Sequence, residues 1–342
     1  MNKLKNLFIR WESALVVILF AEIMTFGMIN PRFLRINVLM GSVNDYISIC
    51  IIALFVTFVI ITGGIDIQAG SVVGLCSIVM GILWKTAGVN IWLTIPIVLA
   101  VGALCGAFSG FLIAFTGVQA MVVTLGGMFL FSGLAVVISN AAVSSAFQGI
   151  SGYPNEFVQL ANGKTFNIPN PFLIFIVLII VAYVLLHKTK YGRKVFLVGV
   201  NVNAAKYAGI NTKLVIMSTY VFSGIAAAVA GIVLTSYLGS SRADFGAELT
   251  LPIVTAVVLG GTLITGGKGT VIGTALASLV IGILKFGLQM VGFSTQYLDI
   301  PVGVLLIVAV AIRSISASGG LKIPALMKSK GQRQKMAKEK AK

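Results

Sequence analysis

The sequence predicts an all-α, polytopic membrane protein of about ten transmembrane helices. Of its 342 residues, 58% are hydrophobic and only 10% are charged, and the mean hydropathy is +1.04. Soluble globular proteins carry charge on about a quarter of their residues, so these values exclude that class. The apolar residues also form long runs, and the basic residues gather in the polar stretches between some of them.

Ten apolar runs are candidates for membrane crossing. A helix needs about 20 residues to cross a hydrocarbon core of about 30 Å. Three of the runs are too short to cross alone at about 1.5 Å per residue, which indicates broken helices or helices buried among neighbours. The runs are residues 14–29, 46–62, 71–84, 91–115, 120–139, 172–186, 214–238, 251–264, 271–291 and 300–312.

The basic residues predict the orientation of the chain. Eighteen of the 25 Lys and Arg residues lie in residues 1–12, 187–213 and 313–342. Because basic segments beside spans stay in the cytoplasm, we expect both termini and the loop 187–213 on that side. Arg32 and Arg35 then fall on the opposite face, where contact with a partner or an extramembrane turn would account for them. The net charge of +16 is therefore assigned to orientation and to anionic lipid, and no nucleic-acid binding is expected.

This orientation divides the chain into three parts. The predicted parts are a cytoplasmic N-terminus at 1–12, a membrane domain at 13–316 and a basic cytoplasmic tail at 317–342. The loop 140–171 is too polar to be a span, and we expect it to lie outside together with the stretch SSRADFGAE.

The loop 187–213 is predicted to contain a short helix of its own. Asn201 or Asn203 is a suitable N-cap, residues 204–208 favour helix, and Gly209 suits a C-terminal stop. Small alanine side chains allow another protein to approach the backbone closely. We therefore interpret this helix as a docking element for a soluble partner.

Three motifs along the chain carry a resemblance to a known family. They are TGGIDIQAGS at 62–71, the pattern G-x-N-x-x-A-A-x-x-x-G-I in the loop, and AVVLGGTLITGGKGTVIGTAL at 256–276. The chain resembles the permease subunits of bacterial ABC sugar importers of the ribose, xylose and autoinducer-2 group. In that family the loop pattern is the coupling helix that sits on the ATPase, and its positions here are Gly199, Asn201, Ala204, Ala205, Gly209 and Ile210.

The resemblance implies an ABC importer permease fold in the bacterial cytoplasmic (inner) membrane. It implies three protein partners, which are an ABC ATP-binding subunit, a second homologous permease and a periplasmic solute-binding protein that docks on the outer loops. The solute would be small and sugar-like. ATP would bind to the partner subunit, so this chain is expected to hold no cofactor and to be no enzyme.

Asp66, in the motif TGGIDIQAGS, has two interpretations. An ionisable group between two apolar runs is a candidate for the translocation path. It is also suited to cap the helix that follows it, and we favour this second interpretation. Gly64, Gln68, Gly70 and Ser71 belong to the same motif and share both interpretations. The resembled family usually has GIDLSVGS here, so Gln68 departs from the pattern, and a hydroxyl role at that position is in doubt.

Three further polar residues are assigned to the path or to structure. Lys268 lies in ITGGKGTVIG, which fails as a phosphate-binding P-loop because Thr262 stands where glycine is needed and Gly269 where Ser or Thr is needed. Lys285 and Gln289 share one face of a helix. They either line an aqueous path or reach from the helix to an interface.

Glycine and cysteine patterns point to packing inside the chain. Gly102, Gly106 and Gly110 recur at four-residue spacing, as do Gly70 and Gly74, which allows close approach of helix backbones within the chain or, alternatively, in a dimer. The sequence Ile-Thr-Gly-Gly occurs at 61–64 and again at 264–267, a hint of an internal repeat. All three cysteines lie in apolar runs and are predicted to pack in the core.

Two other classes of function were weighed against an importer permease. A secondary transporter or channel would need coupling carboxylates at broken helices, and only Glu22, Asp66 and Asp45 qualify, with no visible pairs. An intramembrane enzyme would need a nucleophile and base or a set of metal ligands, and His187 is the only histidine. We therefore predict no catalytic and no metal-binding residues.

Overall fold

The computed structural model describes residues 11–142 and 149–317. The predicted N-terminal part at 1–12 and the basic tail at 317–342 thus lie almost wholly outside the described residues. Within the described ranges the chain forms thirteen α-helices. They are α1 (Trp11–Ile29), α2 (Ile36–Ile61), α3 (Ala69–Lys85), α4 (Ile91–Phe111), α5 (Ala120–Ala142), α6 (Asn155–Asn162), α7 (Asn170–Tyr183), α8 (Lys190–Val200), α9 (Val202–Tyr207), α10 (Thr212–Leu238), α11 (Thr250–Leu259), α12 (Val271–Met290) and α13 (Asp299–Ala317).

In the described part of the chain, four short strands form two small ladders. Strand β1 (Ile150–Ser151) pairs antiparallel with β4 (Ser240–Ser241), and β2 (Lys164–Thr165) pairs antiparallel with β3 (Ile168–Pro169). α10 begins beside α9 and ends beside β4. We call the end of the bundle that carries α8 and α9 the basic end, and the end that carries the ladders the hairpin end.

The all-α membrane architecture is confirmed in its main features. Seven of the described helices are long and apolar enough to cross a membrane. Three shorter apolar helices, Ala69–Lys85, Thr250–Leu259 and Thr295–Ala311, correspond to the runs that the sequence marked as too short. The count of ten crossings therefore stays a prediction.

Helix α2 is the centre of the bundle. Of its most apolar 18-residue window, 89% is buried, against 17% for α1 at the periphery. Hydroxyl pairs join the central helices: Thr57 to Thr274 at 2.8 Å between α2 and α12, and Ser77 to Thr235 at 2.7 Å between α3 and α10. Such hydrogen bonds hold helices together where apolar burial alone distinguishes weakly between protein and lipid.

Glycines bring the backbones of α4 and α10 into contact. A Cβ on Gly102 or Gly106 would collide with the carbonyl oxygen of Gly224 or Tyr220. Gly110 lies against Met217 in the same way. The predicted packing within the chain is confirmed for this glycine series.

Gly70 and Gly74 pack differently from the prediction. Their neighbours are the carbonyl oxygens of Gly246 and Ala243, which belong to the non-helical segment 239–249. The close approach thus joins helix α3 to a loop rather than to a second helix. The spacing of the glycines is the same in the two cases, so only the path of the chain distinguishes them.

The α4–α10 contact predicts a position-specific effect of glycine substitution. We expect Gly106→Val to lower the stability of the folded protein by about 1–3 kcal/mol or more, because valine would overpack the contact with the Tyr220 carbonyl. Gly126→Val on α5 is the matched control, since a Cβ there meets no atom within 4 Å. Thermal unfolding in detergent measures both. Equal midpoints would contradict the packing assignment.

Candidate functional site

Helix α9 is the short helix predicted in the loop 187–213. Asn201 is its N-cap, and its side chain accepts a hydrogen bond from the Ala204 N–H at 3.0 Å. At the other end, Gly209 has the left-handed φ of 78°. The Ile210 N–H donates to the Ala205 carbonyl at 3.1 Å. Local sequence therefore defines both ends of α9, as predicted.

The two alanines of the pattern face opposite ways. Ala204 is exposed, whereas Ala205 is 4% exposed and packs inside the chain. The neighbouring Tyr207 is 92% exposed. A partner can therefore contact Ala204 and Tyr207 directly, while Ala205 serves to seat α9 on the rest of the protein.

Helix α8 anchors this region to the membrane bundle. The Tyr191 hydroxyl lies 2.7 Å from the Ser218 hydroxyl on α10. Burial raises the pKa of Tyr191 to about 12, so the phenol is neutral near pH 7. The ring nitrogen Nε2 of His187 accepts a hydrogen bond from the Val271 N–H at 3.4 Å, at the start of α12.

Gly199, the first residue of the pattern, lies near the end of α8, where this helix meets the end of α2 and the loop between α11 and α12. The Gly267 N–H donates to the Ile61 carbonyl at 2.8 Å, and a Cβ on Gly199 would collide with both groups. Gly266 in turn lies against the Gly199 carbonyl. The two Ile-Thr-Gly-Gly sequences thus come together at the base of α9. We call this contact of residues 61–64, 199–200 and 264–267 the three-segment junction.

Beyond the junction, the chain is non-helical from Thr62 to Gln68 before α3 begins. Asp66 is 3% exposed in this stretch. Its Oδ1 accepts from the Gln68 N–H at 3.1 Å, and its Oδ2 accepts from the Ser223 hydroxyl at 2.5 Å. Asp66 thus holds the backbone of Gln68, the residue directly before α3, and no side chain caps the first turn of α3 from Gln68 itself. The cap and the path interpretations both stay predictions.

Gln68 is buried at 1% exposure and takes the place of the family's small hydroxyl residue. Its Oε1 accepts from the Ser109 hydroxyl at 2.6 Å and leaves no room for a Cβ on Gly127. The longer amide thus bridges α3 to α4 and α5. Gly64 belongs to the same motif. The Tyr220 hydroxyl lies against it and leaves no room for a side chain at this position.

Lys268 does not pair with Asp66. It is exposed in the loop between α11 and α12, where its carbonyl accepts from the Leu263 N–H at 3.0 Å. Both Asp66 oxygens already have other donors, which are Gln68 and Ser223. Sequence reasoning did not identify Ser223, because one hydroxyl among many in an apolar span carries no local signal.

Lys285 and Gln289 line one cavity of about 200 Å³, together with Asp45 and Glu248. Lys285 forms an ion pair with Asp299 at 3.2 Å, with its side chain 18% exposed. The prediction that Lys285 and Gln289 share one face of a helix is confirmed. Ser71 lies elsewhere, in a second cavity between α3 and α5.

Comparison with known proteins identifies the family. A family described as "Branched-chain amino acid transport system / permease component" matches residues 38–310. The chain belongs to this family of ABC importer permeases. It is therefore a membrane-spanning permease subunit, and the resemblance carried by the three motifs is confirmed. Membership implies an ATP-binding subunit and a periplasmic binding protein as partners.

Individual relatives are similar along nearly the whole permease. "Autoinducer 2 import system permease protein LsrD" of Photorhabdus laumondii is 45% identical over 306 residues, which cover 90% of this chain and 92% of the relative. The protein of the same name in Klebsiella pneumoniae is 44% identical over 308 residues, with the same coverage of 90% and 92%. No solved structure was found to match the permease.

The contacts of Asp66 predict how its variants behave. Asp66→Asn keeps an oxygen for the Gln68 N–H, and Ser223 can turn its hydroxyl to accept from the new amide. We expect this variant to fold, assemble and transport nearly normally. Asp66→Ala loses both hydrogen bonds, and we expect a loss of about 1–3 kcal/mol of stability. Thermal unfolding and solute uptake, measured side by side, check both variants.

The outcome for Asp66→Asn separates the two interpretations. A stable and assembled Asn variant without transport would contradict the cap interpretation, because this variant keeps the oxygen that the Gln68 N–H needs but lacks the charge. Asp66→Ser is a useful third variant, since it retains a capping oxygen without reaching Ser223 as well.

Proposed function

We propose that this permease imports autoinducer-2 or a closely similar small sugar-like solute. The support is the identity of 44–45% with permeases of that name over 90% of the chain. A periplasmic binding protein would deliver the solute. A second, homologous permease would complete the membrane part, because one chain offers a single α9 while ABC ATPases work as dimers.

We further propose how the permease is oriented in the membrane and which subunit binds ATP. The basic end would face the cytoplasm of a bacterial cell, with both termini and the loop 187–213 on that side of the inner membrane. ATP would bind to the separate ATPase, and this chain would need no cofactor. The basic tail at 317–342 would lie in the cytoplasm near anionic lipid.

The observation that supports the mechanism is that the end of α8, directly before α9, belongs to the three-segment junction. A partner that grips the exposed Ala204 side of α9 would also move Gly199, which lies against Ile61 and Gly267. Ile61 ends α2, and the non-helical stretch with Asp66 follows it directly. Movement of the ATPase can therefore be transmitted through closely packed backbone to the non-helical stretch between α2 and α3.

ATP can drive this movement only if α9 binds the two states of the ATPase differently. A ligand or partner with equal affinity for two states shifts neither. We infer that the ATP-bound ATPase dimer repositions α9 and α8 as one body. The junction would then transmit the displacement to α2, to α3 and to the loop between α11 and α12, and it would open the path on alternate sides.

The import function predicts both a cargo and a composition. We expect cells that express this permease with its ATPase, second permease and binding protein to take up autoinducer-2, and cells without the permease to fail. The detergent-extracted complex should contain two permease chains, which its native mass will show. An active complex with a single permease chain would contradict the proposed assembly.

The coupling role of α9 predicts a selective loss of transport. We expect Ala204→Glu to reduce uptake by at least about tenfold, because a bulky charge on the exposed face disrupts a fully packed contact. Ala87→Glu, also exposed but at the hairpin end, is the matched control. Uptake and recovery of the ATPase with the permease are measured. Ala205 is unsuitable, since a buried carboxylate would destabilise the fold itself.

If Ala204→Glu transports like the native permease, the contact between α9 and the ATPase is not made through this face. Loss of transport in Ala87→Glu as well would instead indicate a general sensitivity to added negative charge. Only a loss confined to position 204 supports the coupling role.

A further inference from the structure

A cavity of about 290 Å³ lies where α3, α5 and the segment 239–249 meet. Its wall combines polar groups with an aromatic ring: the side chains of Ser71, Ser132, Asp244 and Thr250 lie around it, and Phe129 borders it. This cavity is separate from the one that Lys285 and Gln289 line.

The depth of the cavity follows from the helices beside it. Ser132 is residue 13 of the 23 in α5, close to the middle of a helix long enough to cross the membrane. The segment 239–249 descends along α3, from Ser241 beside Gly81 to Gly246 beside Gly70. Those glycines are about 16 Å apart along a helix. The cavity therefore lies near the middle of the bilayer.

Non-helical backbone at this depth requires a special environment. It is stable in a membrane only where it is buried in protein or borders a water-filled cavity, because lipid cannot satisfy its polar groups. Asp244 and Ala247 are exposed in the segment. Asp244 holds Arg242 in an ion pair at 2.6 Å, with side chains 37% and 42% exposed. Arg242 follows β4 and lies against Gly149 at the hairpin end, so the ion pair reaches from that end towards the cavity. A charged pair exposed in this position indicates water rather than lipid around Asp244.

We propose that this cavity is the site at which the permease contacts its solute, and that it takes a small neutral molecule bearing several hydroxyl groups. The site extends the import function proposed above and rests on it. Solute sites in many transporters lie near the bilayer middle, beside interrupted helices. Here α3 begins at Ala69 and α11 at Thr250, so both short helices start next to the cavity.

The chemistry of the wall selects the class of solute. Serine and threonine hydroxyls donate and accept, and the Asp244 carboxylate accepts, which suits the hydroxyls of a sugar-like molecule. Phe129 is 68% exposed and offers a flat apolar surface to the C–H face of such a molecule. Because Arg242 balances the charge of Asp244, the site carries no net charge and favours a neutral solute over an ion.

Water access tests the cavity directly. The three native cysteines are buried, so an introduced thiol should dominate labelling. We expect Ser132→Cys, in the assembled importer in cells, to react with an external membrane-impermeant methanethiosulfonate at least about tenfold faster than Leu104→Cys, because only a hydrated thiol ionises and reacts. Leu104 is 68% exposed on α4 and lies outside the cavity. Equal labelling rates would overturn the proposal.

Solute contact has its own readouts. Autoinducer-2 added with the reagent should slow labelling of Ser132→Cys, and Asp244→Asn should lower autoinducer-2 uptake about tenfold, by loss of a charged hydrogen-bond acceptor. Glu156→Gln is the control, an exposed acid at the hairpin end outside the cavity. Both Asp244→Asn and Glu156→Gln should retain the ATPase on purification. Native uptake by Asp244→Asn with no protection of Ser132→Cys would overturn solute binding.

A wrong assignment of the solute would give a different set of results. If the native complex imports no autoinducer-2, the import function proposed above is wrong in its solute, while the contrast between Ser132→Cys and Leu104→Cys still decides whether the cavity is an aqueous site.

Discussion

Where the chain leaves helical structure inside a membrane, the freed backbone groups need partners within the protein. Several groups of the stretch from Ile61 to Gln68 find such partners in neighbouring elements. The Ile61 carbonyl accepts from Gly267, the Ile65 carbonyl from the Thr124 hydroxyl, and the Ile67 carbonyl from the Thr250 hydroxyl. Asp66 supplies the acceptor for Gln68 and is itself held by Ser223. Four other elements are thereby fixed around one interruption, so this stretch is where their relative positions are decided.

The same stretch connects the two ends of the proposed mechanism. On its basic-end side it continues from Ile61, which lies against Gly199 at the base of α9. On its other side it continues into α3, whose first turns pack on the segment 239–249 and border the proposed solute cavity. Backbone packed without side chains, as at Gly199 and Gly70, has little freedom to deform. A displacement of α9 is therefore expected to move α3 and the cavity wall rather than dissipate between them.

Hydroxyl and charged side chains occupy different parts of the bundle. The interior hydroxyl pairs, such as Thr57 with Thr274, are fully buried and serve helix association. The charged pairs among the described residues, Arg242 with Asp244 and Lys285 with Asp299, instead border cavities or their edges. Charges that must stay hydrated thus indicate where water enters the bundle, and the fully buried hydroxyl pairs indicate where it does not.

The sequence by itself determined what depends on neighbours along the chain. Long apolar runs predicted the membrane class, and the three short runs predicted the short helices. Asn201 and Gly209 act as local caps because a cap contacts residues only two to four positions away. The tertiary structure decided which face of each element has a partner. It buried Ala205 and exposed Ala204, set Gly70 against a loop rather than a helix, and brought Ser223 to Asp66 across 157 positions. These outcomes depend on how segments that are distant in the sequence pack against each other. A single sequence carries no local signal for such contacts, because they exist only once the chain has folded.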